Sequence, residues 1–107
     1  MAKVNELKAA QFEEKVVNLK GAVVIDFWAT WCGYCTGMAP IYDQVSEVLG
    51  DKVAFYKVDV DQNEDLAKSQ KIEILPTFVV YKDGKEIARK SASLTPAELQ
   101  SLIEQAL

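Results

Sequence analysis

The sequence predicts an α/β domain with a mixed, mostly buried sheet covered by helices on both faces. Three observations carry that prediction. Two apolar runs, residues 22–28 (AVVIDFW) and 53–58 (VAFYKV), read as strands buried on both faces. Between them lies an apolar stripe at helical spacing, which makes a right-handed βαβ unit. Further on, two strand-like runs are joined by Asp83-Gly84, a two-residue hairpin signal, so part of the sheet is antiparallel.

Taken in order, residues 3–7 form a weak first strand. A helix over residues 11–19 follows, with Phe12, Val16 and Leu19 on one face, and Gly21 ends it. After the strand 22–28, a helix over residues 34–49 buries Cys35, Met38, Ile41, Tyr42, Val45, Val48 and Leu49, with a kink expected at Pro40. Asn63 is placed to cap a short helix with Glu64 and Asp65 in its first turn and Lys68 and Lys71 near its end, the charge order the helix dipole favours. Residues 77–82 and 85–90 are the hairpin strands. The last helix opens on Thr95-Pro96-Ala97-Glu98, a capping box with proline at its first position, and Leu94 is set to staple against Leu99. Leu99, Leu102, Ile103 and Ala106 form its inner stripe.

The chain has 107 residues and is 50% apolar, enough for one core, so residues 1–107 are read as a single domain. Twelve basic against sixteen acidic residues give a net charge of -4, without the basic excess that nucleic-acid binding needs. No apolar run approaches the roughly 18 residues of a membrane span. Residues 1–12 lack the apolar stretch of a secretory signal, so the expected compartment is the cytoplasm.

Both cysteines lie in Trp31-Cys32-Gly33-Tyr34-Cys35, directly after a buried strand and at the start of a helix, the setting of a redox dithiol. The reacting species is a thiolate, and the unpaired N–H groups and positive dipole end of a helix stabilise it at Cys32. Two intervening residues let Cys35 reach Cys32 and resolve a mixed disulfide within the same chain. A structural disulfide closing so short a loop would restrict the unfolded chain little. A metal half-site is weaker still, because the chain has no histidine and two thiolates leave a four-ligand site half filled. Asp26 is unusual as a carboxylate within an apolar strand, where its pKa should rise toward neutrality. The other reading of it is a hydrogen-bonded strand residue without a catalytic part.

Over essentially its whole length the chain resembles the thioredoxin family. The matching segments are Val24-Ile25-Asp26-Phe27-Trp28-Ala29, Trp31-Cys32-Gly33, Ala39-Pro40, Val58-Asp59-Val60-Asp61-Gln62-Asn63 and Pro76-Thr77. The resemblance implies a thioredoxin fold, a central five-stranded sheet flanked by four helices. It implies reduction of disulfides in target proteins, with recharging by a flavin-containing, NADPH-linked reductase and no cofactor or metal on the chain itself. A monomer is expected. Cys32 is then the nucleophile and Cys35 the resolving thiol, Asp26 the carboxylate that assists proton transfer at Cys35, and Lys57 its partner. Pro76 resembles the family's cis-proline, although from the residues alone a proline opening a strand fits an ordinary trans turn equally well. Trp31, Gly33, Tyr34, Leu75 and Ala92 would border the groove that receives an extended target segment, while Trp28 packs beneath the site.

The chain departs from the family at Tyr34, where proline is usual, and at Thr36, where a basic residue is usual. Loss of the base should raise the Cys32 pKa relative to relatives. Loss of the rigid proline predicts a less reducing couple. Ile74 and Ala92 stand where smaller residues are common and narrow the groove. Two other readings of the same fold stay open: an oxidant or isomerase, and a binding module in which the cysteines are dispensable.

Overall fold

The structure, a computed structural model, describes residues 2–107. Among these residues the strands are β1 (Val4–Glu6), β2 (Ala22–Trp28), β3 (Val53–Asp59), β4 (Thr77–Lys82) and β5 (Lys85–Lys90), and the α-helices are α1 (Gly33–Leu49), α2 (Glu64–Ser69) and α3 (Pro96–Glu104). A fourth helical segment precedes β2. The strands form one sheet in the order β1-β3-β2-β4-β5, with β1, β3 and β2 parallel and β4 and β5 antiparallel.

Strand β2 is hydrogen-bonded on both edges, by β3 and β4, and its residues 22–27 are all buried. Strand alternation then divides its side chains between two cores. Ala22 and Val24 join Met38, Tyr42, Val45 and Leu49 of α1 with Leu99 and Ile103 of α3. Val23, Ile25 and Phe27 join Leu7, Val16 and Leu66 on the other face. Asp26 has the parity of Ala22 and Val24, so it points to the α1 side. The Tyr42 hydroxyl reaches the backbone on that side, 2.6 Å from the Tyr56 carbonyl and 3.2 Å from that of Val24, and fixes α1 against β2 and β3.

The predicted elements occur, with local differences. The helix expected over residues 11–19 is a 3-10 turn (Ala9–Gln11) followed by a π-helical turn (Glu13–Val17); Val16 is buried and Phe12 half-buried, but Leu19 lies beyond the helical turns and is 37% exposed. On α1, burial follows Cys35, Met38, Tyr42, Val45 and Leu49, which leaves Val48 at the border of the stripe and 62% exposed. The helix runs through Pro40 without interruption. Asn63 stands at the start of α2 but does not cap it: its Oδ1 accepts from the Ala9 N–H at 2.9 Å and its Nδ2 donates to the Asp59 carbonyl at 3.0 Å. A buried amide with one remote partner and one in the preceding strand is held by them rather than by its own helix. Lys71 falls beyond α2, in a left-handed turn. At α3 the capping box forms as read, Thr95 Oγ1 accepting from the Glu98 N–H and Glu98 Oε1 from the Thr95 N–H.

Asp83 and Gly84 both have positive φ, 51° and 82°, as a type I′ hairpin requires. The turn is also a junction: the Asp83 carboxylate accepts from the Gly21 N–H at 2.8 Å, and a Cβ on Gly84 would collide with the Val17 carbonyl. Gly84→Ala is therefore expected to lower stability by about 1–3 kcal/mol. A denaturant midpoint equal to that of the parent would show that the backbone there gives way freely.

Candidate functional site: a dithiol pair at the start of α1

β2 ends on the loop that delivers Cys32 to the N-cap of α1. Cys32 Sγ accepts from the Cys35 N–H at 3.1 Å, one of the donors that a helix start leaves without a backbone partner. A negative sulfur there has both a directed hydrogen bond and the helix dipole to stabilise it. The two cysteines form a disulfide with Cα atoms 5.2 Å apart. Thr36 contributes no charge; its backbone N–H and its hydroxyl both bond the Cys32 carbonyl, at 3.1 and 3.2 Å, and close the first helical turn.

The surroundings of the two sulfurs differ. Cys32 opens on a groove of about 420 Å³ walled by Trp31, Tyr34, Ile72, Glu73 and Leu75. Trp31 and Tyr34 are 69% and 74% exposed, a large apolar rim for a surface position. Trp31 is held at that rim by its Nε1, which donates to the Asp61 carboxylate at 2.8 Å. Gly33 is exposed between the cysteines. The Leu75-Pro76 peptide is cis and Pro76 itself is buried. Thr77 Oγ1, next in the chain, bonds the Ile74 carbonyl and lies 2.7 Å from Ser91 Oγ. Ala92 is half-buried and packs against the α1–α3 core.

Cys35 faces inward. Behind it lies a cavity of about 220 Å³ bordered by Asp26, Trp28, Thr36, Tyr42 and Lys57. Asp26 is 5% exposed, and its Oδ1 has no hydrogen-bond partner among the described residues. Burial drives its pKa up to about 7, the Lys57 charge pulls it down, and the Asp43 charge raises it. Asp26 and Lys57 are register partners across β2 and β3, and the half-buried Lys57 places its Nζ 5.5 Å from the centre of the Trp28 ring. Asp26, Lys57, Trp28 and Cys35 thus converge on one cavity. No group of three or more metal-ligating side chains converges among the described residues.

Sequence reading assigned no role to Asp61 or Asp43. The Asp61 contact spans thirty residues and leaves no local signal. Asp43 had one, because it follows Cys35 at i+8 and so shares its helical face.

Ionisation of Asp26 links the site to stability. The folded protein keeps this carboxyl protonated up to about pH 7, whereas an unfolded aspartate ionises near ~3.9. Between those values the folded state holds the extra proton, so stability falls as pH rises, and the penalty is complete above pH 7. Asp26→Asn is expected to stabilise the oxidised protein by on the order of 3–4 kcal/mol at pH 8 and to have little effect at pH 4. Equal denaturant midpoints for variant and parent at pH 8 would contradict the burial argument.

Comparison with known proteins agrees with this geometry. The sequence profile of the thioredoxin family matches residues 3–105. Thioredoxin from Bacillus subtilis (strain 168) is 39% identical over 102 residues, 94% of this chain and 97% of that protein. Thioredoxin Y1, chloroplastic, from Arabidopsis thaliana is 43% identical over 96 residues, 90% of this chain, and the match spans 56% of its length. The crystal structure of Malassezia sympodialis thioredoxin superposes with a TM-score of 0.89 at 40% identity, over 99% of this chain and 92% of that one. A profile matched almost end to end, a shared fold at this identity and a dithiol pair at the start of α1 together establish that the chain belongs to the thioredoxin family, the protein dithiol–disulfide oxidoreductases.

Proposed function

We propose that the chain reduces disulfides in target proteins, with Cys32 as nucleophile, Cys35 as resolving thiol and Asp26 as the acceptor of the Cys35 proton. The carrying observation is the asymmetry of the pair: Cys32 opens on the exposed groove while Cys35 faces the cavity that holds Asp26. In the first step the Cys32 thiolate attacks a target disulfide; a Cys32–target S–S bond forms, the target S–S bond breaks, and the released target thiolate takes a proton from water. In the second, Cys35 gives its proton to Asp26 and attacks the Cys32 sulfur. The Cys32–Cys35 bond forms, the mixed disulfide breaks, and the second target sulfur leaves as a thiolate to be protonated. Two electrons have passed to the target.

Recharging needs two electrons and two protons from a reductase, which this reading takes to be flavin-containing and NADPH-linked. Trp31, Gly33, Tyr34, Leu75, the cis-Pro76 edge and Ala92 are read as the target-binding border, and Lys57 as the cation that limits the proton affinity of Asp26. The proposed setting is a reducing compartment, the cytoplasm, with the chain working as a monomer. Among the described residues no helix is long and apolar enough to cross a membrane.

Role assignment is tested by trapping. Cys35→Ser should accumulate mixed disulfides with target proteins that a small dithiol releases, and Cys32→Ser should not; equal trapping by both would reverse or dissolve the assignment.

Tyr34 supports a second, narrower reading, a specialised exchanger with a couple more oxidising than the about -270 mV of thioredoxin. It is a large exposed side chain where a rigid proline is usual. Thr36 acts the other way, since an uncharged neighbour destabilises the Cys32 thiolate and with it the reduced form. Tyr34→Pro isolates the first effect, and the midpoint in graded dithiol buffers is expected to fall by on the order of 10–30 mV. An unchanged or higher midpoint would remove Tyr34 as the tuning residue.

A further inference from the structure

The cavity behind Cys35 is bordered by one carboxylate that the mechanism has not used. Asp43 follows Cys35 by two turns of α1 and lines the same cavity as Asp26 and Lys57. Its side chain is exposed to solvent, whereas Asp26 is buried and Lys57 half-buried. Every element packed there faces the cavity with identifiable groups. From α1 come Cys35, Tyr42 and Asp43; from β2, Asp26; from β3, Lys57. On β1, Glu6 is the register partner of Lys57 and is itself paired with Lys8 at 2.7 Å. On β4, Phe78 lies opposite Asp26 and is uncharged. Tyr42 is buried, and burial first and the Asp26 charge second raise its pKa well above the ordinary value, so it stays neutral.

The remaining charges act on Asp26 in opposite senses. Lys57 favours its carboxylate, while also lying over the Trp28 ring and lowering the pKa of Glu6, though less than Lys8 does. Asp43 disfavours it, by like-charge repulsion across a cavity whose low-dielectric wall carries the field. We propose that Asp43 is a positioning residue for the resolving step: its carboxylate offsets Lys57 and holds Asp26 as a base strong enough to take the Cys35 proton near neutral pH. The inference rests on the proton-acceptor role given to Asp26 above. A base closer in proton affinity to the thiol it serves accepts the proton more readily, and the accepted proton leaves Asp26 again once the disulfide has formed. Because Asp43 is exposed, its influence is modest and sensitive to salt.

The test uses Asp43→Asn, with Asp43→Glu as the charge-conserving control, in the full chain. The first readout is the carboxyl-carbon NMR titration of Asp26 in the oxidised protein, which requires no turnover. The second is the pH profile of mixed-disulfide resolution in a single turnover. In Asp43→Asn the Asp26 midpoint is expected to move to lower pH, a loss of proton affinity of about 1.5- to 5-fold, with Asp43→Glu close to the parent and the difference shrinking in ~1 M salt. The resolution profile should move to lower pH with it, and Lys57→Met should move both upward. An Asp26 midpoint that does not respond to Asp43→Asn overturns the proposal. A midpoint that moves while the resolution profile stays fixed removes Asp43 from the reaction too, and locates the error in the role given to Asp26.

Discussion

The chain's chemistry depends on the double enclosure of β2, bonded along both edges and covered on both faces. A strand in that position excludes water from every residue of its central part. Six consecutive buried residues provide the hydrophobic anchor of both cores, and one of them is a carboxylic acid. The same enclosure that stabilises the domain therefore makes Asp26 reluctant to ionise, and the cost to stability at neutral pH is carried at the residue proposed above as the proton acceptor. Stability and chemistry meet in one side chain, and strand parity decides that it looks toward Cys35 rather than toward the opposite core.

A second consequence of β2 is directional. A parallel strand ends where the following helix begins, and the chain turns there into the N-terminus of a 17-residue helix. One backbone N–H and the helix dipole act on Cys32, which lines the outer groove, while one helical turn later Cys35 borders the inner cavity. Two thiols three residues apart thereby acquire different electrostatics and access with no further residue devoted to telling them apart. The groove is assembled differently, from segments remote in sequence: the Trp31–Tyr34 rim, Ile72 and Glu73 after α2, and the cis peptide before β4. A contact such as Trp31 to Asp61 then sets the orientation of a rim that no local rule describes.

How far the sequence could be read follows the range of the interactions involved. β2, β4, β5 and the capping box of α3 could be placed from the residues because alternation, turn chemistry and capping act within a few positions of the chain. The segment 9–17 could not be placed as well. Its apolar spacing suits an α-helix, but Ala9 is drawn to Asn63 and the segment closes as two short turns of different pitch. Asn63 failed as a cap for the reciprocal reason, its side chain being satisfied by a distant backbone. Val48 and Leu19 show the limit of periodicity: an apolar residue at the margin of a stripe is buried only if a neighbouring element reaches it.

By itself the sequence determined the fold class, the dithiol at the start of a helix after a buried strand, and the anomaly of Asp26, since each is written in spacing and residue type over a short stretch. Tertiary structure decided what those residues face. The pairing of Asp26 with Lys57, the position of Asp43 on the same cavity and the Trp31–Asp61 bond arise where separate elements meet. Electrostatic influence and hydrogen bonding depend on distance in space, and only packing brings positions 26, 43 and 57 within reach of one another.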